Sequence, residues 1–175
     1  MNFITKCSKE FGEFSGRLKK VECNSSGIST RSFLCYVRAY SRTHTTLNVG
    51  INLTRNIDNF YVKHRLEYKY GTIYRTVMNP AAIDWCSFMN GTTQNLFYQV
   101  SLDIIGKSVP QLIHPCPYKD EVKALNITFD ISKFAAVFPQ GEYRNFWHWS
   151  DDTDSNIFTL IFVGSMRSPI KSSFG

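Results

Sequence analysis

Apolar and polar positions alternate over most of the chain, and a period of two predicts strands. Over 19–23, Val21 and Cys23 oppose Lys20 and Glu22. Over 33–41, Phe33, Cys35, Val37 and Ala39 share one face, with Arg38 and Arg42 on the other. In 47–53, Leu47, Val49, Ile51 and Leu53 alternate with Asn48, Gly50 and Asn52, the pattern of a half-buried antiparallel strand. The longest run, 60–70, puts Phe60, Val62, His64, Leu66, Tyr68 and Tyr70 on one face against Lys63, Arg65, Glu67 and Lys69. Gly71 then turns the chain into a strand over 73–78.

The period changes in the middle of the chain. Phe97, Val100, Ile104 and Ile105 recur at helical spacing and predict an amphipathic helix over 93–107, about four turns long. A short helical turn is expected over 84–89, and Pro110, Pro115 and Pro117 force an extended passage through Cys116. Strands resume over 122–129, where Leu125, Ile127 and Phe129 alternate with Asn126 and Thr128, and again over 143–149 and 157–163. The last two are apolar on both faces, which suits central, covered strands or strands with one face on a core and the other on a ligand cavity. Seven or eight short strands with one helix inserted late describe a mainly β fold, a two-layer antiparallel β-sandwich or β-cup. One domain is expected over 18–165, with an atypical N-terminal extension over 1–17 and a flexible tail over 166–175.

Composition adds a need for space. Of 175 residues, 14 are Phe, 9 Tyr and 3 Trp, a high aromatic share that calls for a large apolar interior or a cavity. No apolar run approaches the roughly 20 residues of a membrane-spanning helix, which excludes one. The net charge of +6 favours acidic partners. Its basic residues are scattered without a block of like charge, which reads as a solvated surface and not as a nucleic-acid arm.

Five cysteines, with no C-x-x-C pair, fit two disulfides and an odd thiol in an oxidising compartment; free thiols in a cytosolic protein are the alternative. The first 18 residues hold no apolar stretch of about 7–15 residues and do not read as a secretory signal. Either the protein is cytosolic or its start lies upstream, and Cys7 sits in that stretch.

Asn24, Asn52, Asn90 and Asn126 each open an Asn-x-Ser/Thr sequon, where about two would arise by chance, and all four fall in turns or on polar faces. No nucleophile elbow, phosphate-binding glycine loop or H-E-x-x-H is present, so neither an enzyme nor a cofactor is indicated. The acidic run from Asp152 lacks the glycine and glutamate of a calcium loop, and no metal site is expected. His64 on an apolar face reads as a core histidine, or as a polar group able to meet a ligand head inside a cavity.

The succession Val21-Glu22-Cys23, Phe33-x-Cys35, a long strand closing on a glycine turn, Asp84-Trp85-Cys86-Ser87-Phe88, an amphipathic helix, Cys116-Pro117-Tyr118 and Gly141-Glu142-Tyr143 resembles the insect family that contains the CheB chemosensory proteins. That family is distantly similar to the ganglioside activator protein and the ML lipid-recognition domains. The resemblance covers about residues 18–165, and the D-x-C-x-F, helix, C-P-Y succession is its specific part. It implies a secreted, disulfide-bonded β-cup that binds a lipid or lipid-like hydrocarbon without catalysis, some relatives serving gustatory or pheromone detection. It further implies that Cys23, Cys35, Cys86 and Cys116 form disulfides. Pairing Cys23 with Cys35 and Cys86 with Cys116 is a hypothesis among three possible connectivities.

On this reading a ligand pocket is formed by Phe60, Val62, His64, Leu66, Tyr68, Phe97, Val100, Ile104, Trp147, Trp149, Phe158 and Leu160. It lies between the sheets, gated by the 93–107 helix, with Lys63 or Arg65 at the rim for an acidic head group. The expected partner is a hydrophobic small molecule or lipid, with a membrane receptor or an anionic membrane surface as further candidates and no nucleic acid. The rival is an immunoglobulin-like interaction domain with a filled core, and a cavity of several hundred Å³ discriminates the two.

Overall fold

The computed structural model describes residues 15–129, 135, 138–153 and 155–167. Cys7 and the tail beyond Arg167 lie outside the described residues. The alternating segments become β1 (Ser15–Asn24), β2 (Thr30–Ala39), β3 (Thr45–Leu53), β4 (Tyr61–Tyr70), β5 (Ile73–Met78), β6 (Ile83–Asp84), β7 (Glu121–Ile127), β8 (Gly141–Ser150) and β9 (Asn156–Arg167). Between β6 and β7 stand α1 (Trp85–Met89), α2 (Leu96–Ile105) and two 3-10 turns, Gly106–Ser108 and Pro110–Leu112.

Every pairing is antiparallel. One sheet runs β1-β9-β8-β4-β5, with β6 on the β4 edge; the other is β2-β3-β7. The fold is therefore the two-layer antiparallel sandwich that the alternation predicts. β1 starts earlier than the expected boundary at residue 18, because its register continues to Ser15 opposite Arg167, and that pairing also draws Met166 and Arg167 out of the expected tail.

The two sheets are joined along one side and propped apart along the other. On the joined side the Cys23–Cys35 disulfide ties β1 to β2, and Leu18 N donates to Thr45 Oγ1 at 2.8 Å. On the opposite side the three-stranded sheet is too narrow to cover the six-stranded one, and the helical segment fills the gap between β4 and β7. α1 starts at Asp84, whose carboxylate accepts from Ser87 N and Ser87 Oγ. α2 starts later than the expected helix because Asn95 caps it, accepting from Phe97 N and Tyr98 N. It passes into 3-10 turns at Gly106, so the helix is shorter than its expected four turns.

Two local departures from the alternation have backbone causes. In β7, Leu47 faces Ile127 and Val49 faces Ala124, so Leu125 and Asn126 together oppose one residue. Asn126 takes φ +56° in this bulge, and its N–H donates to Asn48 Oδ1 at 2.9 Å. Leu125, expected inward, is turned out to solvent, while Ala124 and Ile127 are buried. Phe33, also expected inward, is largely exposed on the edge strand β2, although its ring still meets Phe158 edge-on at 5.7 Å.

β8 and β9 are central strands as their two apolar faces suggest, but among the described residues no second layer covers their outer side. Long charged side chains do so instead. Arg65 and Arg144 lie over the Phe146 ring at 4.1 and 5.2 Å, and both pair with the buried Glu67. Glu142 accepts from Lys19, Lys69 and Tyr74, and these bonds hold its carboxyl down at about 2.

Candidate ligand-binding site

Away from the joined side the inner faces of the two sheets stand apart. They enclose a cavity of about 770 Å³ lined mainly by apolar side chains. Its floor follows the β4–β8–β9 register. One rung holds Tyr143 and Gly164, the next Leu66, Asn145 and Phe162, the next His64, Trp147 and Leu160, and the last Val62, Trp149 and Phe158. Its roof is β3 and β7, through Leu47, Val49, Ile51, Leu53, Ala124 and Ile127. Its side wall is helical, through Phe97, Tyr98, Ser101, Leu102, Ile104 and Ile105.

One end is plugged. The D-x-C-x-F and C-P-Y segments converge there, where Trp85 Nε1 donates to Tyr118 Oη at 3.1 Å and Tyr118 Oη donates to Leu112 O at 2.7 Å. Phe60 packs edge-on against Tyr118 at 5.3 Å, and the Cys86–Cys116 disulfide clamps the two segments together. Tyr98 anchors the wall to the floor, its hydroxyl donating to Val62 O at 3.0 Å; burial pushes that phenol up to about 12. At the other end the lining residues Arg17, Thr43, His44 and Thr128 are exposed, which makes this end the mouth.

Of the residues expected to line a pocket, Phe60, Val62, His64, Leu66, Phe97 and Ile104 border the cavity, and so do Trp147, Trp149, Phe158 and Leu160. Tyr68 does not. It lies on the inner face but beyond Leu66, stacked edge-on against Tyr143 at 5.0 Å with its hydroxyl on Gln140 O. Val100 does not either, being 45% exposed: the buried residues of α2 are Tyr98 and Ile104, its cavity face runs on through Phe97, Ser101 and Ile105, and Val100 lies outside that face. Lys63 and Arg65 are not at the rim, since both alternate outward from His64 and Leu66 to the outer face of the floor sheet. Arg17 stands at the mouth instead. The roof residues and Asn145 were missing from the expected pocket, although their parity with inward neighbours already marks them.

Within this lining His64 is the exception in character. It is 4% exposed, its ring lies 4.8 Å from Phe97 and 4.3 Å from Trp147, and Nε2 is 3.4 Å from Asn145 Oδ1. Burial is the main cause lowering its pKa from 6.5 to about 4, with the Asn145 contact opposing weakly. The imidazole is thus neutral at physiological pH, whereas in the unfolded chain it takes up a proton near pH 6.5. Its share of stability is complete above that pH and is lost as pH falls toward 4. Between pH 7 and pH 5 the loss is about 2 kcal/mol. Urea unfolding at the two pH values is expected to show this loss in the native protein and not in His64→Leu; equal losses would place the acid sensitivity elsewhere.

Among the described residues no cluster of His, Cys, Asp or Glu side chains could hold a metal ion, and no helix is long and apolar enough to cross a membrane.

A two-layer antiparallel sandwich held open around one apolar cavity is a β-cup, and that is the class of protein defined by this fold and site. Residues 57–145 match the model of the family described as "Protein of unknown function (DUF1091)", and the chain belongs to that family. The match spans the floor strand β4, the helical wall, the plug and both His64 and Asn145. Among solved structures, chicken MD-1 complexed with lipid IVa is similar at 14% identity, covering 93% of this chain and 94% of that one, with a TM-score of 0.35. A Niemann-Pick type C2 protein from Japanese carpenter ant is similar at 12% identity, covering 87% and 92%, with a TM-score of 0.31. No curated protein sequence matches the chain.

Proposed function

We propose that the protein binds a lipid or lipid-like hydrophobic molecule in the space between its sheets, without catalysis. The observation that carries this reading is the cavity itself. A filled core is what an immunoglobulin-like interaction domain needs, and 770 Å³ of apolar space is what a ligand site of ordinary size provides. Removing hydrocarbon from water supplies the affinity, at about 0.8 kcal/mol per buried CH₂. Because Tyr98 and the Cys86–Cys116 disulfide fix the helical wall at its start and end, entry is at the Arg17 end and the helix is a wall more than a gate.

Equilibrium displacement of N-phenyl-1-naphthylamine by a series of alkanols tests the reading. Each added methylene is expected to tighten binding by up to about fourfold until the cavity is full, after which affinity levels off. No displacement at any chain length would sink the proposal.

The finer reading is that the protein is a secreted carrier of semiochemicals, related to the CheB chemosensory proteins. It is supported by the motif succession and by two disulfides, which persist in oxidising compartments. It is supported too by the exposure of Asn24, Asn90 and Asn126, with Asn52 half-buried, as candidate glycosylation sites. A membrane receptor or an anionic membrane surface would be its partner at delivery, with Arg17 at the mouth facing it.

A further inference from the structure

The cavity carries one polar point that an oil-filled cup does not need. His64 and Asn145 sit on adjacent rungs of the floor, between the Tyr143–Gly164 rung at the mouth end and the Trp149–Phe158 rung at the plug. The spacing of strand residues puts His64 about 13 Å along the floor from the mouth rung. With Asn145 Oδ1 facing it, Nε2 carries the proton and donates, and Nδ1 is left a buried acceptor with no hydrogen-bond partner among the described residues. A buried nitrogen in that condition is costly to the empty protein. Phe97 and Trp147 pack against its ring, and Asn145 faces its Nε2.

Resting on the lipid-binding reading, we infer that His64 and Asn145 form a hydrogen-bonding subsite for a neutral hydroxyl carried partway along the ligand's hydrocarbon. A hydroxyl both donates and accepts, so it donates to Nδ1 of His64 and can also take the Asn145 amide. A carboxylate would surrender its hydration to meet an uncharged ring and is disfavoured at this depth. The preferred ligand is therefore a neutral hydroxylated lipid whose hydroxyl is buried, not one whose only polar group stays at the mouth.

Competition of hexadecane, terminal hexadecanol and a mid-chain hexadecanol isomer against N-phenyl-1-naphthylamine tests this on the full chain. The mid-chain alcohol is expected to bind about tenfold more tightly than the alkane. His64→Leu and Asn145→Leu are each expected to erase most of that preference, read within each variant as the ratio of mid-chain alcohol affinity to hexadecane affinity. Thermal unfolding verifies that each variant is folded, and either one alone is sufficient for the comparison. Equal binding of alkane and mid-chain alcohol by the native protein would overturn the subsite, as would a preference that survives both substitutions. A preference for the terminal alcohol would place the hydroxyl at the mouth and overturn it as well. Failure of all three probes to bind would instead defeat the lipid-binding reading.

Discussion

Ala124→Phe is expected to weaken binding of a long-chain alkanol about a hundredfold while leaving the protein as stable as before. Ala124 is 4% exposed on β7 and faces the floor across the cavity. A phenyl ring built there takes the place of about four ligand methylenes, and at about 0.8 kcal/mol each their loss is about 3 kcal/mol. In a packed core the same substitution would force neighbours off their rotamers at about 1–3 kcal/mol. In a cavity the ring finds room and buries its own surface instead. Phe serves better than Trp because it brings no N–H in need of a partner. Binding and urea unfolding thus separate the two interiors. A variant that is destabilised by several kcal/mol, or that binds alkanol as the native chain does, would contradict the site.

The floor was the most legible part of the site. Strict alternation in β4, β8 and β9 put His64, Trp147, Trp149, Phe158 and Leu160 on one side, and sheet pairing keeps them there. Alternation reports side and says nothing of depth, which is why Tyr68 carries the right parity and still falls outside the cavity. Leu125 escaped because the bulge at Asn126 resets the parity within β7, and only the long-range pairing with β3 reveals it. On α2 the sequence shows a helical period, but the phase of the buried face depends on where Tyr98 is anchored, so Val100 was placed on the wrong side. Whether the sheets stand apart or close on each other was not legible at all. That distance is set by how the helical segment between β4 and β7 packs, together with the bulk of Trp85, Tyr98 and Tyr118, and periodicity within a segment does not report its packing distance.

That segment is also where loss of one covalent bond should matter most. Replacing both Cys86 and Cys116 with Ser is expected to cost about 3–4 kcal/mol in unfolding free energy, from the loop of 30 residues that the disulfide closes. The Cys23–Cys35 bridge closes 12 residues, and its double Ser variant is expected to lose a similar or slightly smaller amount, about 3 kcal/mol. Binding distinguishes them. Cys23–Cys35 joins the sheets on the side away from the helical wall, where Leu18 N to Thr45 Oγ1 and Thr30 Oγ1 to Ile157 O also hold β1, β2, β3 and β9 in place. Cys86–Cys116 pins the start of the wall to its end and keeps the plug shut behind Trp85 and Tyr118. Under conditions where both variants remain folded, release of a bound alkanol is expected to be about tenfold faster in the Cys86–Cys116 variant and near native in the other, as read by stopped-flow displacement. Equal release rates in the two would mean that the hydrogen bonds of Tyr98 and Tyr118 hold the wall without the disulfide.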